Sequence, residues 1–130
     1  MSGINPGFNT GRLVLHSGTV GAVLTAASLD VCAAAFSTEA HSVLGLDTTS
    51  RVATSVIGGL VDAGLPPVAV NVNVPALPFQ ELRGLRFADP GTVSCDDVAS
   101  TSKAIVSRCA GGGIRRLTTT DRTLTSSPVA

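Results

Sequence analysis

Six residues near the start of the chain are of types that can bind a phosphate and a metal ion: Asn5, Asn9, His16 and Ser17-Gly18-Thr19. A Ser-Gly-Thr triplet at a helix N-terminus offers unpaired backbone N–H groups, hydroxyl donors and a glycine that lets an anion approach. An asparagine carboxamide oxygen can ligate a hard divalent cation, and a histidine can act as a general acid. The types and their spacing favour a small site for a phosphate and a cation.

Each of these residues also has an ordinary structural explanation. Ser17 or Thr19 can cap a helix without binding anything. An asparagine in a Gly- and Pro-rich loop is often a turn residue, and His16 can make a structural hydrogen bond. Asp96-Asp97 is the only adjacent carboxylate pair. Because it lies in a Ser- and Thr-rich stretch, we interpret it as a solvated loop or as the first turn of a helix over 97–110.

The elements that must position these residues are partly visible in the hydrophobic pattern. Glycine, proline and asparagine predict a loop over residues 1–12, and Leu13-Val14-Leu15 is either a short strand or a last turn before a helix. That helix runs from about Ser17 to Ser28, because Val20, Val23, Leu24 and Ala27 share one face. Later elements are a buried strand Val31–Phe36 containing a buried Cys32, a loop 39–48, a helix 49–63 ended by Gly64, a strand Val68–Val74 with its valines on one face, and the start of a strand at Leu85–Phe87.

This alternation of strands and helices predicts an α/β fold with a mainly parallel sheet. Residues 1–90 are expected to form the α/β domain. Residues 91–130 are a poorly patterned C-terminal segment, and roughly the last 15 residues are expected to be disordered, because they are polar and unpatterned.

Composition narrows the class of protein. The 130 residues suffice for one domain, and the 44% hydrophobic fraction can supply a core. Nine basic and nine acidic residues give no electrostatic reason to expect a nucleic acid polymer or a membrane surface as partner. No stretch reaches the roughly 20 apolar residues of a membrane span. Three widely spaced cysteines form no metal pattern and favour a reducing, cytoplasmic location.

Three motifs together resemble the SurE family of survival-protein nucleotidases. They are Ser-Gly-Ile-Asn-Pro-Gly-Phe-Asn-Thr-Gly at residues 2–11, Val-Leu-His-Ser-Gly-Thr-Val-Gly-Ala at 14–22, and Asn-Val-Asn-Val-Pro at 71–75. They occur in family order and at family-like spacing, and the resemblance covers about residues 1–90.

The resemblance implies a Rossmann-like three-layer α/β fold and a metal-dependent hydrolase of 5′- and 3′-nucleoside monophosphates. It implies Mg²⁺ or Mn²⁺ as the cofactor and a homodimer or tetramer as the assembly. Asn5 matches the family's metal-ligating asparagine and Asn9 a second site asparagine, while Ser17, Gly18 and Thr19 match its phosphate-side loop. Asn9 and His16 are the candidate catalytic residues. From its position directly before that loop, His16 can donate a hydrogen bond to the phosphate or act as a general acid.

The family's acidic Asn-Asp-Asp-Gly motif does not occur in this sequence. We therefore expect the fold to be incomplete at the N-terminus and the isolated chain to be weakly active or inactive. The alternative is a non-catalytic α/β module that binds anions or acts through assembly.

Overall fold

A computed structural model describes residues 1–64, 66–89 and 91–111, which form one five-stranded sheet with helices on both faces. The strands are β1 (Ser2–Pro6), β2 (Ala33–Thr38), β3 (Val68–Val74), β4 (Leu85–Phe87) and β5 (Ala104–Gly111), in the spatial order β1-β2-β3-β5-β4. β1, β2 and β3 are mutually parallel, and β5 pairs antiparallel with β3 and parallel with β4. The predicted α/β class with a mainly parallel sheet is confirmed, and β2 and β3 are its longest parallel pair in register.

The sheet is covered on both sides because its central strand is apolar on both faces. Val68, Val70, Val72 and Val74 of β3 pack with Phe36 and the buried face of helix α2 (Val43–Asp62). On the other face, Ala69 packs with Ala33 and Ala35 of β2 and with Val20 and Val23 of helix α1 (Gly18–Ser28). The alternation predicted for β3 and the three-layer architecture are therefore confirmed.

The helix boundaries agree with the prediction for α1 but not for α2. Ser17 caps α1 as expected, by accepting a hydrogen bond from the Val20 N–H. α2 begins at Val43, inside the segment predicted to be a loop, with Ser42 as its cap. The pattern missed this first part because its buried face consists of Gly45, Thr48 and Thr49, which carry no hydrophobic signal. Gly64 follows the helix with φ +53°, the left-handed conformation expected of a terminating glycine.

The prediction of a loop over residues 1–12 is wrong for its first half. β1 forms there because its backbone pairs with β2, and this tertiary pairing outweighs the low strand propensity of glycine and proline. A 3-10 helix follows over Gly11–His16, where the sequence left a strand or a helical turn open.

β2 begins two residues later than predicted. Val31 and Cys32 precede it and are exposed, so the prediction of a buried Cys32 is wrong. The Cys32 Sγ donates a hydrogen bond to the Pro66 carbonyl at 3.3 Å. The apolar run that starts at Val31 therefore did not mark the start of β2. The strand consists of the residues that are buried between the helices, Ala33–Thr38.

Residues 95–111 form a short helix, α3 (Cys95–Ala99), and then β5. The helix considered for 97–110 is therefore wrong over most of its length. Ala104–Ser107 are buried because β5 lies between β3 and β4. Pairing with a strand on each side stabilises the extended conformation of this segment over a helix. The predicted disordered tail lies outside the described residues.

Candidate active site

The predicted site residues lie at the carboxyl ends of the parallel strands. Asn5 of β1 pairs in register with Ser37 of β2, which pairs in turn with Asn73 of β3. Ile4 packs into the α2-side core, so the next residue, Asn5, points toward the α1 side. In open α/β sheets this edge is where ligands bind.

Asn5 has a fixed side-chain amide. Its Nδ2 donates to the Gly7 carbonyl at 2.6 Å, which closes a tight turn at the end of β1. None of its hydrogen bonds within the described chain uses Oδ1. The side chain therefore presents one oxygen of the kind that a divalent cation accepts as ligand.

Asn9 is held more firmly than any other predicted site residue, and only 5% of its surface is exposed. Its N–H donates to Asn73 Oδ1 at 2.7 Å, and its Nδ2 donates to Ser37 Oγ at 2.6 Å. Its carbonyl accepts from Asn71 Nδ2 at 2.8 Å and from Asn73 Nδ2 at 3.0 Å. Asn9 thus fastens the loop that follows β1 to the two central strands.

The N-terminus of α1 supplies the phosphate side of the candidate site. Since β1 and β2 are parallel and α1 connects them, α1 runs back across the sheet and starts at the carboxyl edge. Ser17 Oγ satisfies the Val20 N–H at 3.2 Å, while the N–H groups of Gly18 and Thr19 have no intrahelical acceptor by geometry. Gly18 is exposed, and a Cβ placed there meets no atom within 4 Å. An anion therefore has open access to these two amides.

His16 is exposed at the last position of the 3-10 helix, directly before the Ser17 cap. The imidazole is therefore near the start of α1 in sequence and accessible to a solvent-borne ligand. Of the two histidines, His16 is the one that adjoins the candidate phosphate loop.

Asp96 and Asp97 belong to the first turn of α3, one of the two roles that the sequence left open. Ser94 and Asp97 form a capping box, in which each side chain bonds the backbone N–H of the other residue. Hydrogen bonds from the backbone and the hydroxyl of Ser94, with a smaller contribution from Arg86, lower the pKa of Asp97. Both carboxylates are exposed, and Asp97 has a structural task.

The sequence prediction missed four polar residues beneath the loop: Ser37, Asn71, Asn73 and Ser107, all nearly or fully buried. Asn71 pairs in register with Ser107, and its Nδ2 lies 3.5 Å from Ser107 Oγ. Two asparagines at alternate positions of a valine strand were the available signal, since buried amides require partners.

The described residues do not by themselves fit a divalent metal ion. They contain no group of three or more His, Cys, Asp or Glu side chains placed to hold one. Asn5 offers a neutral oxygen, whereas protein sites for Mg²⁺ usually include one or two carboxylates. Among the described residues, Asn5 is the one that the resemblance assigns to a metal ion.

A cleft of about 780 Å³ lies elsewhere, between the 3-10 turn Phe79–Glu81 and the segment 99–102. Its walls include Glu81, Arg83 and Thr101, and none of the predicted site residues lines it. The carboxyl edge of the sheet, rather than this cleft, gathers the residues with candidate chemistry.

The family model described as "Survival protein SurE" matches residues 1–97. The chain belongs to the SurE family. This SurE chain is 42% identical over 85 residues to the 5′-nucleotidase SurE of Halorhodospira halophila (strain DSM 244 / SL1), an alignment covering 64% of the chain and 34% of that protein. It is 39% identical over 92 residues to the 5′-nucleotidase SurE of Pseudomonas fluorescens (strain SBW25), covering 70% of the chain and 37% of the relative.

The fold of this SurE chain also matches a solved structure. The crystal structure of the SurE protein from Aquifex aeolicus superposes with a TM-score of 0.70 at 17% identity, over 94% of this chain and 63% of that one. The chain spans just over a third of the length of the curated SurE relatives it matches.

Proposed function

We propose that this chain contributes the phosphate-binding side of a SurE-type phosphomonoester hydrolase that acts on nucleoside monophosphates. The observation that carries the proposal is the juxtaposition at one sheet edge of the Asn5 oxygen and the open N-terminus of α1. Curated relatives of this chain are named 5′-nucleotidases. The match to the SurE family model, residues 1–97, contains Asn5, Asn9, His16 and Ser17-Gly18-Thr19.

In this proposal each residue has a separate task. The amides of Gly18 and Thr19 and the Thr19 hydroxyl bind the non-bridging oxygens of the phosphate, favoured by the positive end of α1. Asn9 orients the loop, and His16 donates a proton to the leaving oxygen of the nucleoside as a water molecule attacks the phosphorus and the ester P–O bond breaks. Asn5 is one neutral ligand of an Mg²⁺ or Mn²⁺ site whose carboxylates are not among the described residues. We place the protein in the cytoplasm and expect it to assemble as a dimer or tetramer. No helix of the described chain is both long enough and apolar enough to cross a bilayer.

Phosphate binding and catalysis are tested separately. Inorganic phosphate added to the ¹⁵N-labelled chain is expected to shift the amide resonances of Gly18, Thr19 and Val20. Gly58, a half-buried glycine in α2 that lies 40 residues from Gly18 in the sequence, is the internal reference. An absence of shifts at α1 contradicts the proposal.

The metal arm uses Mn²⁺ alone and follows free Mn²⁺ by electron paramagnetic resonance. The wild-type chain is expected to bind weakly, Asn5→Ala more weakly still, and Asn5→Asp more tightly, since it adds a negative charge. Hydrolysis of a nucleoside 5′-monophosphate by the isolated chain is expected to be slow or absent. Rapid turnover that survives Asn5→Ala refutes the assignment of Asn5.

The second candidate is a non-catalytic module that binds anions. The absence of an acidic metal cluster from the described residues favours it for this chain in isolation. Phosphate binding with no hydrolysis at any Mn²⁺ or Mg²⁺ concentration, even when the remaining two thirds of a homologous SurE protein is added, selects this alternative.

A further inference from the structure

The side chain of Asn73 binds both main-chain polar groups of Asn9. Its Oδ1 accepts the Asn9 N–H at 2.7 Å, and its Nδ2 donates to the Asn9 carbonyl at 3.0 Å. One carboxamide thus makes the two hydrogen bonds that a neighbouring strand makes to a residue in a sheet. Asn73 is 1% exposed, so water does not compete for either bond.

Asn71, two residues before Asn73 on the same face of β3, strengthens this contact. Its Nδ2 is a second donor to the Asn9 carbonyl at 2.8 Å, so that both lone pairs of this oxygen are used. The Asn71 Oδ1 is buried and accepts no hydrogen bond in the described chain. A buried carboxamide with an unpaired oxygen is costly to a fold. Asn71 therefore contributes a hydrogen-bond donor to the loop while its own oxygen stays unpaired within the described chain.

The loop runs from the end of β1 at Pro6 to the Ser17 cap. Near its start, the Gly7 N–H donates to the Thr38 carbonyl at 2.8 Å, and Phe8 packs against the cluster of Val93, Val98 and Ile105. Thr10 Oγ1 contacts Cys95 Sγ of α3 at 3.2 Å. Between these contacts, the Asn9 backbone is the point at which β3 determines the path of the loop.

We propose that Asn73, assisted by Asn71, is a positioning residue that sets the placement of the Ser17–Thr19 phosphate loop relative to Asn5 by clamping the main chain of Asn9. This inference rests on the proposed function for its consequence, but the clamp itself is a separate property of the loop. Neither residue reaches the ligand in this scheme, and both act through Asn9.

The clamp is tested first in the unmodified chain by amide hydrogen exchange. The Asn9 amide is expected to exchange as slowly as the amides of β3, although it lies in a loop. Exchange at the rate of an exposed loop amide overturns the proposal, whatever the chain binds.

The consequence is tested with Asn73→Ala and, as matched control, Val72→Ala. Val72 is the adjacent buried residue of the same strand, but it faces the α2 side. Phosphate affinity, measured from the Gly18 and Thr19 amide shifts, is expected to fall by about tenfold in Asn73→Ala, which corresponds to about 1.4 kcal/mol of lost binding free energy. Val72→Ala is expected to leave the affinity unchanged while lowering stability.

Equal losses of affinity in the two variants overturn the proposal in favour of a merely structural role. If Asn73→Ala does not fold, Asn71→Ala is used instead, because Asn73 still holds part of the loop in that variant. A smaller loss of phosphate affinity together with faster amide exchange at Asn9 supports the clamp. If neither the affinity nor the exchange rate changes, the proposal is overturned. If the wild-type chain binds no phosphate, the proposed function fails, and the clamp is judged by exchange at Asn9 in the same variants.

Discussion

Gly45 in the first turn of α2 lies directly against the hydroxyl group of Thr38, the last residue of β2. A Cβ at position 45 collides with Thr38 Oγ1 and presses on Ser42, whose hydroxyl caps the helix by accepting the Gly45 N–H at 2.9 Å. This close approach fixes the distance between the start of α2 and the carboxyl edge of the sheet.

Gly45→Ala is therefore expected to destabilise the fold by about 1–3 kcal/mol, the usual effect of overpacking a close contact. Gly58→Ala in the same helix is the control, because a Cβ there meets nothing within 4 Å. Its expected effect is a stabilisation of about 0.5–1 kcal/mol from helix propensity. Urea unfolding of both variants measures the difference, and equal signs contradict the packing argument.

The two serine caps make a second matched pair. Ser17→Ala and Ser42→Ala each remove a hydroxyl that accepts a first-turn N–H, so each is expected to cost about 1 kcal/mol of stability. Their effects on phosphate are expected to differ, because Ser17 alone adjoins the candidate phosphate loop. If Ser42→Ala weakens phosphate binding as much as Ser17→Ala does, the site is not at α1.

The capping box of α3 gives a pH dependence with a definite sign. The pKa of Asp97 in the folded chain lies below its ordinary value of 3.8, because Ser94 donates hydrogen bonds to the carboxylate. The carboxylate therefore contributes stability above about pH 4, and this contribution is lost as the pH falls through the lowered pKa. An NMR titration of Asp97 measures the pKa directly. Asp97→Asn is expected to remove this part of the acid dependence, and Asp96→Asn, which leaves the box intact, is the control.

The cysteines are expected to differ in their reaction with an alkylating reagent. Cys109 is half-buried beside the α1-side core, and burial raises the pKa of its thiol. Since the thiolate is the nucleophile, Cys109 should react more slowly than the exposed Cys95 at the same pH. Timed maleimide labelling with peptide mass analysis compares the two sites, and urea is expected to abolish the difference. Faster labelling of Cys109 in the folded chain contradicts the burial described for it.

The sequence predicted those helices and strands that carry a periodic pattern of hydrophobic residues. β3 was predicted at its observed bounds because four valines alternate with smaller residues between Pro67 and Pro75. α1 was recognised from its cap and its apolar face. β1 and β5 were missed because each is stabilised by pairing with strands distant in sequence, and a local pattern carries no trace of such a partner.

The sequence identified the candidate residues that lie at the surface of the proposed site. Asn5, His16 and Ser17 were identified as candidates from residue type and motif, and the structure brings Asn5 and the α1 N-terminus to the same edge. The supporting layer of Asn71, Asn73 and Ser107 was not identified as part of the site. Its role depends on the path of a loop more than 60 residues away in the sequence, as the separation of 64 between Asn9 and Asn73 shows.

The position of β5 between β3 and β4 determines the order in which the chain can assemble during synthesis. β4 leaves the ribosome before β5, yet it pairs with β5 and not with the preceding β3. Until residues 104–111 have emerged, a nascent chain carries β3 with one edge unpaired and β4 without its partner. An unpaired strand edge can pair with other chains. The nascent chain is therefore exposed to aggregation from the emergence of residue 74 until residues 104–111 have emerged.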